Sequence, residues 1–108
     1  MRDVKTGLVL LATTVGCAAP AVVREIEAAH PGAHYDAIAT GCGAGAPTGR
    51  RFGPDLWLAV LWSRQVVRSA RQLPCEAVIQ AVTGTGSRPV YRVRWPRDAP
   101  LSEGPVPR

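Results

Sequence analysis

The sequence predicts an α+β domain, a small helical core closed by a C-terminal β-hairpin. Two stretches repeat apolar residues at helical spacing between proline boundaries, and two β-rich runs flank a glycine-containing connection near the end. The length of 108 residues leaves room for one core. An open α/β sheet that begins with a βαβ unit, led by the strand "GLVLLATT", is the alternative arrangement. Residues 1–97 are expected to form the single globular domain. Residues 98–108 belong to a run with four prolines after Trp95 and few apolar side chains, and are expected to form a flexible tail.

The amino terminus, "MRDVKTGLVLLATTVGC", places Arg2 and Lys5 before an apolar stretch from Leu8 to Val15 and then Gly16 and Cys17. These seventeen residues resemble a bacterial lipoprotein signal, which implies a lipid on Cys17 and a membrane-anchored product. The other reading is a buried helix or strand. No apolar run reaches the roughly 18 residues of an ordinary transmembrane helix.

"AAPAVVREIEAAHPG" reads as a helix. Pro20 suits a first turn, Val22, Ile26 and Ala29 recur on one side, and Pro31-Gly32 ends it. "AHYDAIATG" fits a short strand or a short helix. Residues 41–54, with five glycines and two prolines, are expected to be a loop. Asp55 should cap a second helix that Pro74 stops. Spacing groups Leu58, Trp62, Val66 and Leu73 on its core side and Arg64, Arg68 and Arg71 on the opposite side. The runs "EAVIQAV" and "VYRVRW" form the hairpin around "TGTGSRP". Alternation turns Tyr91, Val93 and Trp95 inward and Arg92 and Arg94 outward.

Charge is concentrated in the second half. Residues 50–97 hold nine basic and two acidic side chains, a net +7 within a chain of +5 overall. Such a segment creates a local field that attracts phosphate or an anionic surface. Arg50 and Arg51 in the glycine-rich loop, Arg64, Arg68 and Arg71 on the helix, Arg88 at the hairpin tip, and Arg92 and Arg94 on the strand are the candidate nucleic-acid-binding residues.

Other chemistry lacks the required context. "GCGAGA" has the glycine spacing of a dinucleotide fingerprint at Gly41, Gly43 and Ala46, but no helix opens after it and no acid follows about twenty residues on. His30 and His34 are separated by Pro31-Gly32, which forbids one continuous helical face, so they read as histidines flanking a turn rather than, with Asp36 and Cys42, a metal site. Cys17, Cys42 and Cys75 lack CxxC spacing and are odd in number, so reduced thiols in a cytoplasmic protein are the simplest expectation. No motif presents an activated nucleophile. No enzyme, metal or cofactor is therefore assigned.

The order of two helices followed by a hairpin, with "VVREIEAAHPG" before the second helix and "TGTGSRPVYRVRW" at the end, is similar to a winged helix-turn-helix DNA-binding domain over residues 8–95. The resemblance implies that the helix after Asp55 reads DNA and that Arg88 is the wing-tip contact. The expected function is therefore a small basic nucleic-acid-binding protein, with DNA favoured, such as a transcriptional regulator or a phage or mobile-element protein. A homodimer is compatible with it. The alternative is an envelope lipoprotein or structural assembly subunit with an anion-facing surface, meeting a membrane only if Cys17 is lipidated.

Overall fold

The computed structural model describes residues 20–107, so the "GLVLLATT" strand and the lipoprotein-like leader fall outside the described residues. Helix α1 spans Ala21–Ala29 behind Pro20. Proline fixes the backbone for a first turn and has no N–H to leave unpaired. Val23 is fully buried, and Val22 and Ile26 pack beside it. The ring of His30 lies 2.9 Å from the Ile26 carbonyl oxygen, and Gly32 takes a positive φ of 78° in the turn that follows.

The ambiguous segment is a strand, β1 (His34–Thr40). Tyr35, Ala37 and Ala39 are buried, while Ile38 and Thr40 are exposed on the other face. A second strand, β2 (Gly49–Phe52), lies inside the stretch expected to be loop throughout. Turn-forming residues account for residues 41–48, but "GRRF" pairs antiparallel with β1 from Ile38↔Gly49 to Tyr35↔Phe52. An edge strand of four residues needs little β-propensity of its own once its neighbour offers free backbone groups.

Helix α2 spans Leu56–Arg68, and the Asp55 carboxylate accepts a hydrogen bond from the Leu58 N–H at 3.3 Å, as a cap should. It ends well before Pro74. Its buried side is Leu56, Ala59, Val60, Ser63, Val66 and Val67. Leu58, expected in the core, is 52% exposed, and Leu61 is 41% exposed. The helix is thus rotated relative to the sequence expectation.

Strand β3 (Cys75–Thr83) and strand β4 (Gly86–Trp95) form the predicted hairpin, with a tighter connection than "TGTGSRP" suggested. Thr83 pairs with Gly86, so Ser87, Arg88 and Pro89 belong to the strand rather than to a tip. Pro89 cannot donate to the ladder, and the register shifts between Ile79 and Gln80, leaving Val90 as an extra residue. Val90 and Tyr91 are consequently both buried. The supposed tail forms β5 (Ser102–Pro105), paired antiparallel with β4 from Arg94↔Ser102 to Tyr91↔Pro105.

The five strands make one sheet in the order β2-β1-β3-β4-β5, and each pairing is antiparallel. This corrects both expected architectures. A winged-helix domain is a helical core with a small hairpin, whereas here the sheet dominates and α2 lies across β1, β3 and β4. A parallel sheet begun by a βαβ unit is excluded for the described strands by the same pairings.

Small residues explain how α2 docks. Ala37 and Ala39 on β1 and Ala77 and Ala81 on β3 line the covered face of the sheet, and α2 presents Ala59 and Ser63 to it. Small side chains on both surfaces let the backbones approach closely. Leu56, Val60 and Val67 fill the core around them, while Leu58 and Leu61 are left outside.

Candidate functional site

The expected site is a surface of eight arginines, and the structure divides them between the two faces of the sheet. Arg51, Arg92 and Arg94 stand on the open face, which neither α1 nor α2 covers. There Arg51 Nε is 3.4 Å from Asp36 Oδ1, and Arg92 Nε is 3.6 Å from Glu76 Oε2. His34 Nε2 approaches the same Asp36 oxygen at 3.7 Å, without hydrogen-bond geometry. These pairs are loose: none has hydrogen-bond geometry, and Asp36 Oδ1 and His34 Nε2 are buried without a hydrogen-bond partner among the described residues. The Arg51 side chain keeps 77% of its exposure.

On the helix-covered side, Arg64 leaves α2 to meet Glu103 on β5. Its Nε and Nη2 donate to the two carboxylate oxygens at 2.6 and 2.8 Å, the bidentate geometry that suits a guanidinium and a carboxylate. The Tyr91 hydroxyl donates to Glu103 Oε2 at 2.5 Å. Burial alone would raise the Glu103 carboxyl, but the hydrogen bonds from Arg64 and Tyr91 outweigh it and hold the group below its ordinary value. Burial, followed by the bond to the carboxylate, pushes the Tyr91 phenol up to about 12. Glu103 raises Arg64 further. Arg64 is therefore neutralised where a phosphate was expected to meet it. Sequence reasoning missed Glu103 because it lay in the presumed tail.

The remaining arginines are dispersed. Arg50 lies over the Phe52 ring at 5.2 Å on edge strand β2. Arg68 is exposed at the end of α2 and has no ion pair among the described residues. Arg71 follows the helix, and its backbone N–H donates to the Cys42 carbonyl at 3.0 Å. Arg88, expected at the hairpin tip, instead lines a groove of about 420 Å³ with Val22, Glu25, Ile26 and Val90.

The thiol expectation is overturned. Cys42 and Cys75 form a disulfide, with both residues buried. Two glycines of the "GCGAGA" stretch serve this bridge. Gly41 has a φ of 77°, and a side chain there would collide with the Pro74 carbonyl beside Cys75. Gly43 has a φ of 108°, and a Cβ there would meet the Arg71 side chain at 3.1 Å. With its sulfur in the bridge, Cys42 offers no thiolate to a metal beside His34 and Asp36. An odd count of cysteines and a separation of 33 residues gave no pairing signal.

The outer side of α2 gathers large apolar groups. On its first two turns Leu58 and Leu61 face away from the sheet, and Trp57 and Trp62 flank them, half-buried against the margin of the core. Arg64 lies over Trp57 at 4.9 Å, and Trp62 meets the edge of Phe52 with ring centres 6.0 Å apart. No helix among the described residues is long and apolar enough to cross a membrane. In comparisons with known proteins, no protein-family model matches the chain, and no curated protein or solved structure is significantly similar to it.

Proposed function

We propose that this chain works outside the cytoplasm as a small envelope-associated binding domain, held at the membrane by a lipid on Cys17. The Cys42–Cys75 disulfide carries the reading. Buried disulfides persist in oxidising compartments, and this one takes two of the three cysteines, leaving Cys17 as the cysteine outside the bridge. That residue ends the lipoprotein-like leader. Intact mass tests it. Full-length chain made in a bacterial host is expected to lose residues 1–16 and gain the mass of a diacylglyceryl group, with Cys17→Ser abolishing both changes. A mature protein that keeps its leader and three free thiols would defeat the proposal.

A nucleic-acid role has one observation in its favour, the placement of Arg51, Arg92 and Arg94 on a single open sheet face. Two of these are paired with acids, and Ile38 and Val78, rather than aromatic platforms, lie between them. Random duplex is therefore expected to be retained only at low salt. Retention at 0.15 M salt with a log-log slope of about 0.9 per neutralised phosphate would put the nucleic-acid reading first.

A further inference from the structure

The outer face of α2 has a composition that water does not favour. Helices on a sheet normally turn charged residues outward, yet here Leu58 is 52% and Leu61 41% exposed, with half-buried Trp57 and Trp62 on either side. At 100° per residue, Trp57 and Leu61 stack one turn apart, as do Leu58 and Trp62, so the four form one contiguous patch. The rings are held in place. Arg64 sits over Trp57 while committed to Glu103, and Phe52 meets Trp62 edge-on beneath Arg50.

The charge around the patch is mainly positive, with Asp55 as an exposed acid at its start. Helix α2 contains Arg64 and Arg68 and no acid, and its capping carboxylate Asp55 is turned to the Leu58 N–H. Glu103, the nearest acid on the strand beyond, is neutralised by Arg64. Arg50 at one margin and Arg68 at the other form no direct ion pair among the described residues, although the charge of Arg68 helps to hold Glu103 ionised. Leucines flanked by tryptophans and arginines are the pattern of a helix lying in a bilayer interface, where indole rings sit at headgroup depth and guanidinium groups meet phosphates.

We infer that this face of α2 is a membrane-contact surface: Leu58 and Leu61 enter the interfacial layer of an anionic phospholipid bilayer, Trp57 and Trp62 lie at its headgroups, and Arg50 and Arg68 meet lipid phosphates. The inference rests on the envelope reading above for the presence of a bilayer, and it gives the tethered domain a fixed orientation. Position favours it as well. Pro20 opens α1 three residues after Cys17, and Glu27 of α1 accepts the Leu56 N–H at 2.9 Å, joining the helix after the tether to the start of α2. A diacylglyceryl group with two acyl chains already anchors the chain, so the contact through α2 sets the orientation of the domain at the bilayer rather than its attachment.

The test separates the face from the tether. Full-length Cys17→Ser protein removes the lipid, and an added Trp95→Phe change leaves Trp57 and Trp62 as the emitters, since the chain has three tryptophans. Phosphatidylcholine vesicles with brominated acyl chains, with and without phosphatidylglycerol, quench indoles that reach the interface. Strong quenching is expected with phosphatidylglycerol and weak quenching without it. Leu58→Glu with Leu61→Glu should weaken binding by about tenfold or more, at an unchanged melting temperature because both sites face outward. Arg50→Gln with Arg68→Gln should remove the preference for the anionic lipid. Quenching that survives Leu58→Glu with Leu61→Glu would place the contact elsewhere and overturn the inference. So would absent quenching, and a dimer that this double change dissolves would give the face to a second copy of the chain. The mass of the unmutated protein reports the tether alone, so the two claims fail separately.

Discussion

The two faces of the sheet hold the same residue types and use them differently. Beneath α2, Arg64 and Glu103 keep 25% and 20% of their side-chain exposure and share two hydrogen bonds, with Tyr91 adding a third. On the open face, Arg92 and Glu76 keep 40% and 37% and approach no closer than 3.6 Å. Desolvation makes the difference. A carboxylate withdrawn from water must be fully paired, so the covered cluster ties α2 to edge strand β5, whereas exposed ions retain water as a competing partner. An arginine-rich stretch is therefore a clamp on one face and a field on the other.

The sharpest test lies in two adjacent residues of β3. Ile79 is fully buried against α2, and Val78 points to the open face. Ile79→Ala should cost about 3 kcal/mol, and Val78→Ala less than about 1 kcal/mol. Chemical denaturation of both variants checks this. Equal losses would mean that the open face is covered in the working protein, and the contrast between faces would disappear.

How much of that contrast the sequence reveals depends on the element. In β4 the alternation of Tyr91, Val93 and Trp95 with Arg92 and Arg94 has a period of two and opposite chemistry on each side, and the structure agrees: Tyr91 and Val93 are buried and Arg94 is exposed. In α2 the first two turns are apolar nearly all round, so periodicity cannot choose a side, and bulk is a misleading guide. The side that packs is the one with Ala59 and Ser63, because the sheet beneath is lined with alanine. Strand β5 was hidden for another reason. "SEGP" has no strand propensity, and it becomes a strand because β4 offers an open edge and Glu103 finds Arg64 and Tyr91.

The covered cluster gives the next largest effect. Glu103→Ala leaves Arg64 and Tyr91 without their acceptor, and should cost about 2 kcal/mol, below the value for a fully buried pair because these side chains keep some water. Acid titration should find the same cluster. Because Glu103 is held below its ordinary carboxyl value when folded, the unfolded chain binds a proton more readily. Its stabilisation is complete above the unfolded value of about 4.3 and is lost as pH falls through the lowered folded value. Tyr91 acts at the other end. Its folded value is raised to about 12, so its contribution is complete below the unfolded value near 10 and fades between the two. Melting temperatures across both windows should show two declines that Glu103→Ala flattens, and a variant with an unchanged acid limb would show that another carboxylate governs it.

The smallest effect is the most discriminating between clamp and field. A double-mutant cycle on Arg92 and Glu76 should return a coupling of about 0.5 kcal/mol or less, because water and counterions compete for both groups. The same cycle on Arg64 and Glu103 should return a coupling several times larger. Salt separates them further. The Debye length is about 10 Å at 0.1 M and about 3 Å at 1 M, so added salt should erase the open-face coupling while leaving most of the covered one, whose ions touch through hydrogen bonds under α2. Urea denaturation of the four variants in each cycle, at low and high salt, measures both. If the Arg92–Glu76 coupling proved as large and as salt-resistant as that of Arg64 and Glu103, the open face would be as desolvated as the covered one. Its arginines would then be structural, and no polyanion could be reading them.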